Sequence, residues 1–177
     1  MNDVRNKLDQ ASKCSERRDY TSALKLCGEV IESHPENPSG YRKRSHVYAR
    51  IKKWDAAISD RSQAIRVSSG GAQDYFFRGY WRLVIGDYEN AIQDLTEAID
   101  IEEKCDACPY SQSAYFYRAE AWLRLENYDA ALDDCKNVDE GFSVYFIDRL
   151  KSKSDVVREA EDGLRRSKIK VIQLDGD

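Results

Sequence analysis

Proline is scarce in this sequence, three residues in 177, and glycine is held to nine, so no proline-rich or glycine-rich linker divides the chain. Only two histidines are present, His34 and His46, which leaves little material for a histidine-based metal centre. The cysteine count is five, an odd number, and Cys14, Cys27 and Cys135 fall inside helical patterns. A secreted disulfide framework is therefore not expected, and a reducing compartment, the cytoplasm, is. No run approaches the roughly 20 apolar residues of a membrane span, and the opening MNDVRNKLDQ lacks the apolar centre of a signal peptide. What the chain does have is charge, 34% of its residues, beside 41% hydrophobic residues and 11 tyrosines. That is the balance of a helix-rich chain able to bury one sizeable core.

The order of residues repeats. Tyr20, Trp54 and Tyr88 stand 34 residues apart, and each is followed by an alanine and an aliphatic residue: Ala23 and Leu24, Ala57 and Ile58, Ala91 and Ile92. A fourth copy with Tyr128, Ala131 and Leu132 comes six residues late. Counting from residues 4, 38, 72 and 112, small residues hold the eighth position (Ala11, Ser45, Gly79, Ala119), and Ile31, Ile65 and Ile99 hold the twenty-eighth. Small residues let two helix backbones approach, and the aliphatics supply apolar surface that one helix pair cannot bury alone.

In period and in the placing of these small and aromatic residues, the stretch from about 4 to 145 resembles the tetratricopeptide-repeat family. The resemblance implies an all-α, right-handed α-solenoid of about four antiparallel helix pairs. We expect a single domain over 1–168, with repeats 4–37, 38–71, 72–105 and 112–145. Only the first repeat keeps the family's closing proline, Pro35, and Asp139 stands at the fourth repeat's aliphatic position, so an irregular end is expected there. Beyond it, Ser143 to Lys151 has apolar spacing compatible with a helix, and Ser154 is placed to cap another running towards Arg166. Together they form an expected cap over 142–168. Residues 169–177 show no helical spacing and read as a flexible tail.

Repeats two to four open on Tyr-x-x-Arg: Tyr41 with Arg44, Tyr75 with Arg78, Tyr115 with Arg118. Sixteen residues after each arginine stands an aspartate, Asp60, Asp94 and Asp134; the first repeat has Gln10 and Leu26 at those places instead. Joint presence and joint absence point to a structural ion pair between the two helices of a unit.

The resemblance also implies a binding face on the first helix of each unit. Mapped onto this sequence, it gives Arg42, Lys43, His46 and Arg50 from repeat two, Phe76, Phe77 and Tyr80 from repeat three, and Phe116, Tyr117 and Arg124 from repeat four. Aromatic clusters beside cations are typical binding surface, although apolar spacing also allows some of Phe76, Phe77, Phe116 and Tyr117 to pack between repeats. Residues 38–71 hold eight Lys or Arg against two acids, a net of +6, while 72–111 hold three against nine, a net of −6. A basic block on a chain of net charge −4 suits a limited anionic feature on a protein or peptide partner, with apolar and acidic groups, rather than a nucleic acid. The lysine, asparagine and arginine clamp with which many family members hold chaperone tails is replaced here by Leu8, Ser12, Lys43, Gln73 and Phe77, which counts against that partner.

No nucleophile with a base, phosphate loop or paired-carboxylate site is recognisable; Glu102-Glu103 and Asp133-Asp134 are sequence neighbours that do not face one another on a helix. The expectation is a non-enzymatic adaptor with no cofactor and no membrane partner. Two alternatives stay open: a small immunity-type protein that blocks a partner enzyme, and a metal or redox protein built on Cys105 and Cys108, a lone Cys-x-x-Cys in the six-residue insertion.

Overall fold

The computed structural model describes residues 2–104, 110–146 and 149–174. Nine helices and one small hairpin occupy them: α1 (Asn2–Glu16), α2 (Tyr20–Ser33), α3 (Pro38–Arg50), α4 (Trp54–Ser68), α5 (Ala72–Ile85), α6 (Tyr88–Glu102), α7 (Ser111–Arg124), α8 (Tyr128–Cys135), β1 (Ser143–Phe146), β2 (Arg149–Ser152) and α9 (Lys153–Leu174). The expected class, all-α helix pairs in the tetratricopeptide-repeat pattern, is the class found: α1 packs on α2, α3 on α4 and α7 on α8. The chain divides into two compact units, Met1–Ile85 and Gly86–Asp177.

The turn inside each pair is built the same way. Arg18, Lys52, Gly86 and Glu126 share the fifteenth repeat position and all have positive φ, at 63°, 57°, 87° and 56°. After α3, Lys53 N–H donates to the Tyr48 carbonyl at 2.9 Å and Lys52 N–H to Ala49 at 3.0 Å; after α7, Asn127 donates to Trp122 at 2.9 Å and Glu126 to Leu123 at 3.2 Å. This is the paired closure of a helix end through a left-handed residue. Asp19 and Asn127 then cap the following helices, accepting from the Ser22 and Ala130 N–H groups.

In the first unit, Val4, Leu8 and Ala11 of α1 meet Cys27 and Val30 of α2, with Leu26 against them. Burial pushes the Cys27 thiol up to about 11, so it acts there as a small apolar group. The helix-to-helix pair is present: Arg44 Nε and Nη2 donate to the two Asp60 oxygens at 2.7 and 2.8 Å. Arg78, in the same unit, donates to Ser62 Oγ at 3.1 Å.

In the second unit, Arg118 grips Asp134 with bonds of 2.9 and 2.6 Å and adds a third to Thr96 Oγ1. Ala91, Leu95 and Ala98 of α6, Ala114 and Phe116 of α7, Ala131 and Cys135 of α8, and Val156 and Ala160 of α9 supply the core. The region after α8 departs from expectation. Ser143 to Lys151 forms no helix; β1 and β2 pair antiparallel, Val144 against Lys151 and Tyr145 against Leu150. A two-stranded hairpin is marginal alone, and this one is anchored by Lys151, buried against Glu120 of α7 and bonded to Glu159 of α9 at 2.9 Å. The start of α9 is fixed by Ser152, not Ser154: Asp155 N–H donates to Ser152 Oγ and Ser152 N–H to Asp155 Oδ2, a reciprocal cap. α9 continues to Leu174, through 169–174 where a tail was expected. Extending a formed helix adds one backbone hydrogen bond per residue and needs no apolar periodicity. α9 rests on α8 and α7 as α3 rests on α2 and α1, the seat of a repeat's first helix. Gly163 lies flat on Tyr128; a Cβ there would come within 2.3 Å of the ring.

Candidate functional site

The expected site residues of repeat two stand on α3, facing α1 on one side and α5 on the other. A buried charge cluster lies beneath them. Arg61 of α4 is fully buried, because it shares the inward stripe of α4 with Ala57 and Ala64. Its Nη1 donates to Asp74 Oδ1 of α5 at 2.8 Å, and Arg42 adds bonds of 2.9 Å to Oδ1 and 2.5 Å to Oδ2. Burial pushes the Asp74 carboxyl up, but the two guanidinium groups outweigh it and hold the acid below its ordinary value. Asp74 joins α3, α4 and α5, and without it Arg61 would be a buried charge lacking its counter-ion, a loss of about 3–5 kcal/mol in comparable pairs.

His46 sits on this cluster. Arg61 Nη2 lies 2.9 Å from His46 Nε2. A guanidinium can only donate, so Nε2 accepts and the neutral ring carries its proton on Nδ1. Burial first, then the charges of Arg61, Lys43 and Arg50, push the imidazole down to about 4. The His46 ring meets Phe77 edge-on with centroids 4.6 Å apart and Trp81 at 5.7 Å. The Arg61 guanidinium lies 5.2 Å from the Phe77 centroid and 5.4 Å from that of Trp81.

Lys43 and Arg50 are placed differently from Arg42. Lys43 Nζ donates to Ser12 Oγ at 2.7 Å and Arg50 Nη1 to the Ser15 carbonyl at 3.0 Å. Neither has a carboxylate partner among the described residues. They line a cavity of about 220 Å³ between α1 and α3, together with Ser12, Ser15, Glu16, His46 and Val47.

The expected set thus separates. Lys43, His46 and Arg50 gather in the first unit, with half-buried Phe77 and Tyr80 on neighbouring α5. Arg42 is a correction: its guanidinium is committed to Asp74 and Ser68 and serves the fold. Phe76 is a second, buried in the first unit beside Phe77. In the second unit Phe116 is wholly buried with Phe142 against it, and Tyr117 is buried beside Phe116, so both are packing residues. Arg124 is exposed, 3.7 Å from Glu120. Cys105 and Cys108 lie outside the described residues. Sequence reasoning missed Arg61, Asp74, Ser15 and the Glu120–Lys151 pair; the one available signal was a charge at the helical spacing of buried alanines in α4.

No family model matches the chain. Among characterised proteins it is similar to Hsc70-interacting protein 1 of Drosophila melanogaster, 33% identical over 99 residues, covering 55% of this chain and 26% of that protein. The chain therefore spans about a quarter of that relative's length. Among solved structures, a crystal structure of MamA protein superposes with a TM-score of 0.74 at 17% identity, covering 98% of this chain and 90% of the other. The TPR2B-domain:pHsp70 complex of yeast Sti1 superposes with a TM-score of 0.64 at 18% identity, covering 68% and 97%. These likenesses, with the 34-residue period and the recurring turn, define an all-helical repeat scaffold. The fold is that of tetratricopeptide-repeat proteins.

Proposed function

We propose that this protein is a non-enzymatic interaction module that holds a peptide segment or small protein domain on the face formed by α1, α3 and α5. The observation that carries the reading is the meeting on that face of two cations without carboxylate partners, Lys43 and Arg50, with the half-buried rings of His46, Phe77 and Tyr80. Fixed aromatics beside cations are the composition of binding hot spots. The likeness to a domain solved with pHsp70 supports the general mode, a protein or peptide ligand, while the clamp positions Leu8, Ser12, Lys43, Gln73 and Phe77 argue against a chaperone tail as the partner. The partner's chemistry is apolar side chains with some acidic groups. Cytoplasmic work is part of the proposal and agrees with the buried thiols Cys27 and Cys135, both pushed up to about 11.

The test is affinity capture with mass spectrometry, comparing the native chain with Phe77→Ala and with Lys25→Glu, an exposed change on a second helix. Both variants should stay helical by circular dichroism. Phe77→Ala should lose the captured partner, with an affinity loss of about 2 kcal/mol, and Lys25→Glu should keep it. The opposite pattern would place binding on the second helices and end the proposal.

A further inference from the structure

Arg61 and Asp74 occupy the twenty-fourth position of one repeat and the third position of the next. At the junction before, the same two positions hold Cys27 and Gly40, and at the junction after, Leu95 and Ala114, all buried and none charged. Stacking of repeats therefore asks for no charge there, and a buried ion pair is often no more stabilising than an apolar pair in its place. What the charged pair adds is contact with the binding face. The Arg61 guanidinium spends Nη1 on Asp74 Oδ1 at 2.8 Å and Nη2 on His46 Nε2 at 2.9 Å, so the carboxylate fixes the fork and the fork fixes the ring. The same guanidinium lies against the Phe77 and Trp81 rings, and His46 meets both edge-on, at interplanar angles of 82° and 85°.

The consequence is chemical. Which imidazole nitrogen carries the proton is set by the bond that the other makes. With Nε2 accepting from Arg61, the one donor left on the ring is Nδ1–H, and it has no hydrogen-bond partner among the described residues. An imidazolium would add another cation beside Arg61, Lys43 and Arg50 and could not accept from Arg61; the neutral ring adds a donor at a fixed atom without adding charge.

We infer that Arg61, held by Asp74, is a positioning residue for the binding face: it fixes His46 as a donor through Nδ1–H and holds the Phe77 ring beside it, so that the two receive an uncharged carbonyl flanked by an apolar side chain. The inference rests on the proposed interaction role and adds the residue that sets its polar contact.

The native chain tests the first part without any substitution. Long-range ¹H–¹⁵N correlation of the imidazole at about pH 7.5 should show His46 protonated on Nδ1 and bare on Nε2; a proton on Nε2 overturns the inference. Arg61→Leu with Asp74→Ala, the pair found at the next junction, should move that proton to Nε2, the site preferred in water, while the α1 amides keep their positions; an unmoved proton in the folded variant overturns it too. The second part uses N-acetyl-leucine methylamide, which has an apolar side chain, two carbonyls and no charge, titrated by NMR into the native chain, His46→Gln and His46→Asn. A glutamine amide lies where Nε2 lay and an asparagine amide where Nδ1 lay. Binding should weaken about tenfold in His46→Gln, the loss of one hydrogen bond, and be largely recovered in His46→Asn. A role confined to supporting Arg61 gives the reverse order; that order, equal affinities, or no shift of the His46 and Phe77 signals overturns the inference. If it falls while Phe77→Ala still abolishes capture of a natural partner, the face binds protein without this donor. If Phe77→Ala leaves capture intact, the interaction role fails as well.

Discussion

At the scale of single residues, the most consequential side chain is His46, because it is packed as a neutral ring against permanent cations. Its folded value of about 4 lies below the ordinary 6.5, so between those limits the native state binds fewer protons than the unfolded chain. Stability from this group is complete above about pH 6.5 and falls as pH drops towards 4, by on the order of 3 kcal/mol in total. Arg61, Lys43 and Arg50 set the direction, and Asp74 opposes it weakly. Urea unfolding at pH 7.5, 6 and 5 should show the decline, and His46→Gln should make it shallower within that window. An unchanged slope in His46→Gln would mean that the ring is not held neutral. The contrast between Arg44 and Arg61 explains what the sequence could tell. Arg44–Asp60 recurs as Arg118–Asp134 at the same spacing, so comparison between copies isolates it. Arg61–Asp74 occurs once and joins different repeats, and a single charged residue among buried alanines has no second copy against which to be read.

At the scale of elements, the helix pairs were legible because each one restates the same small and apolar positions, whereas the hairpin was not. Val144, Tyr145, Leu150 and Lys151 suit a helix face or a strand pair equally over so short a run; what decides for strands is burial of Lys151 against Glu120, a contact made across more than thirty residues. The turns lead to a sharper prediction. Arg18, Lys52 and Glu126 adopt a left-handed backbone that costs a side chain about 1 kcal/mol, while Gly86 adopts it freely. Lys52→Gly should therefore raise the stability of the native protein by up to about 1 kcal/mol, and Gly86→Ala should lower it by a similar amount. Thermal unfolding of both variants checks the pair of signs. A fall in midpoint for Lys52→Gly would show that its side chain contributes more than its conformation costs.

At the scale of the whole molecule, the net charge of −4 conceals a basic stretch and an acidic one, and the basic stretch contains the two cations left without carboxylates. Association with an acidic partner should slow by about tenfold between 0.05 and 0.5 M salt while dissociation changes much less, because screening acts on the approach rather than on buried contacts. Stopped-flow association rates at several salt concentrations would show it; rates independent of salt would make the basic stretch irrelevant to encounter. The recurring turn reaches further than stability. Its closing bonds run from main-chain N–H to main-chain carbonyl, as at Lys53 to Tyr48 and Asn127 to Trp122, so the side chains there carry almost no instruction. Arginine, lysine, glycine and glutamate all serve at one structural position. A unit whose bend is written in backbone, and whose helix contact asks only for small volume at a few sites, can exchange most of its letters without altering its shape. A TM-score of 0.74 at 17% identity is what such tolerance permits: one geometry written in two largely different spellings.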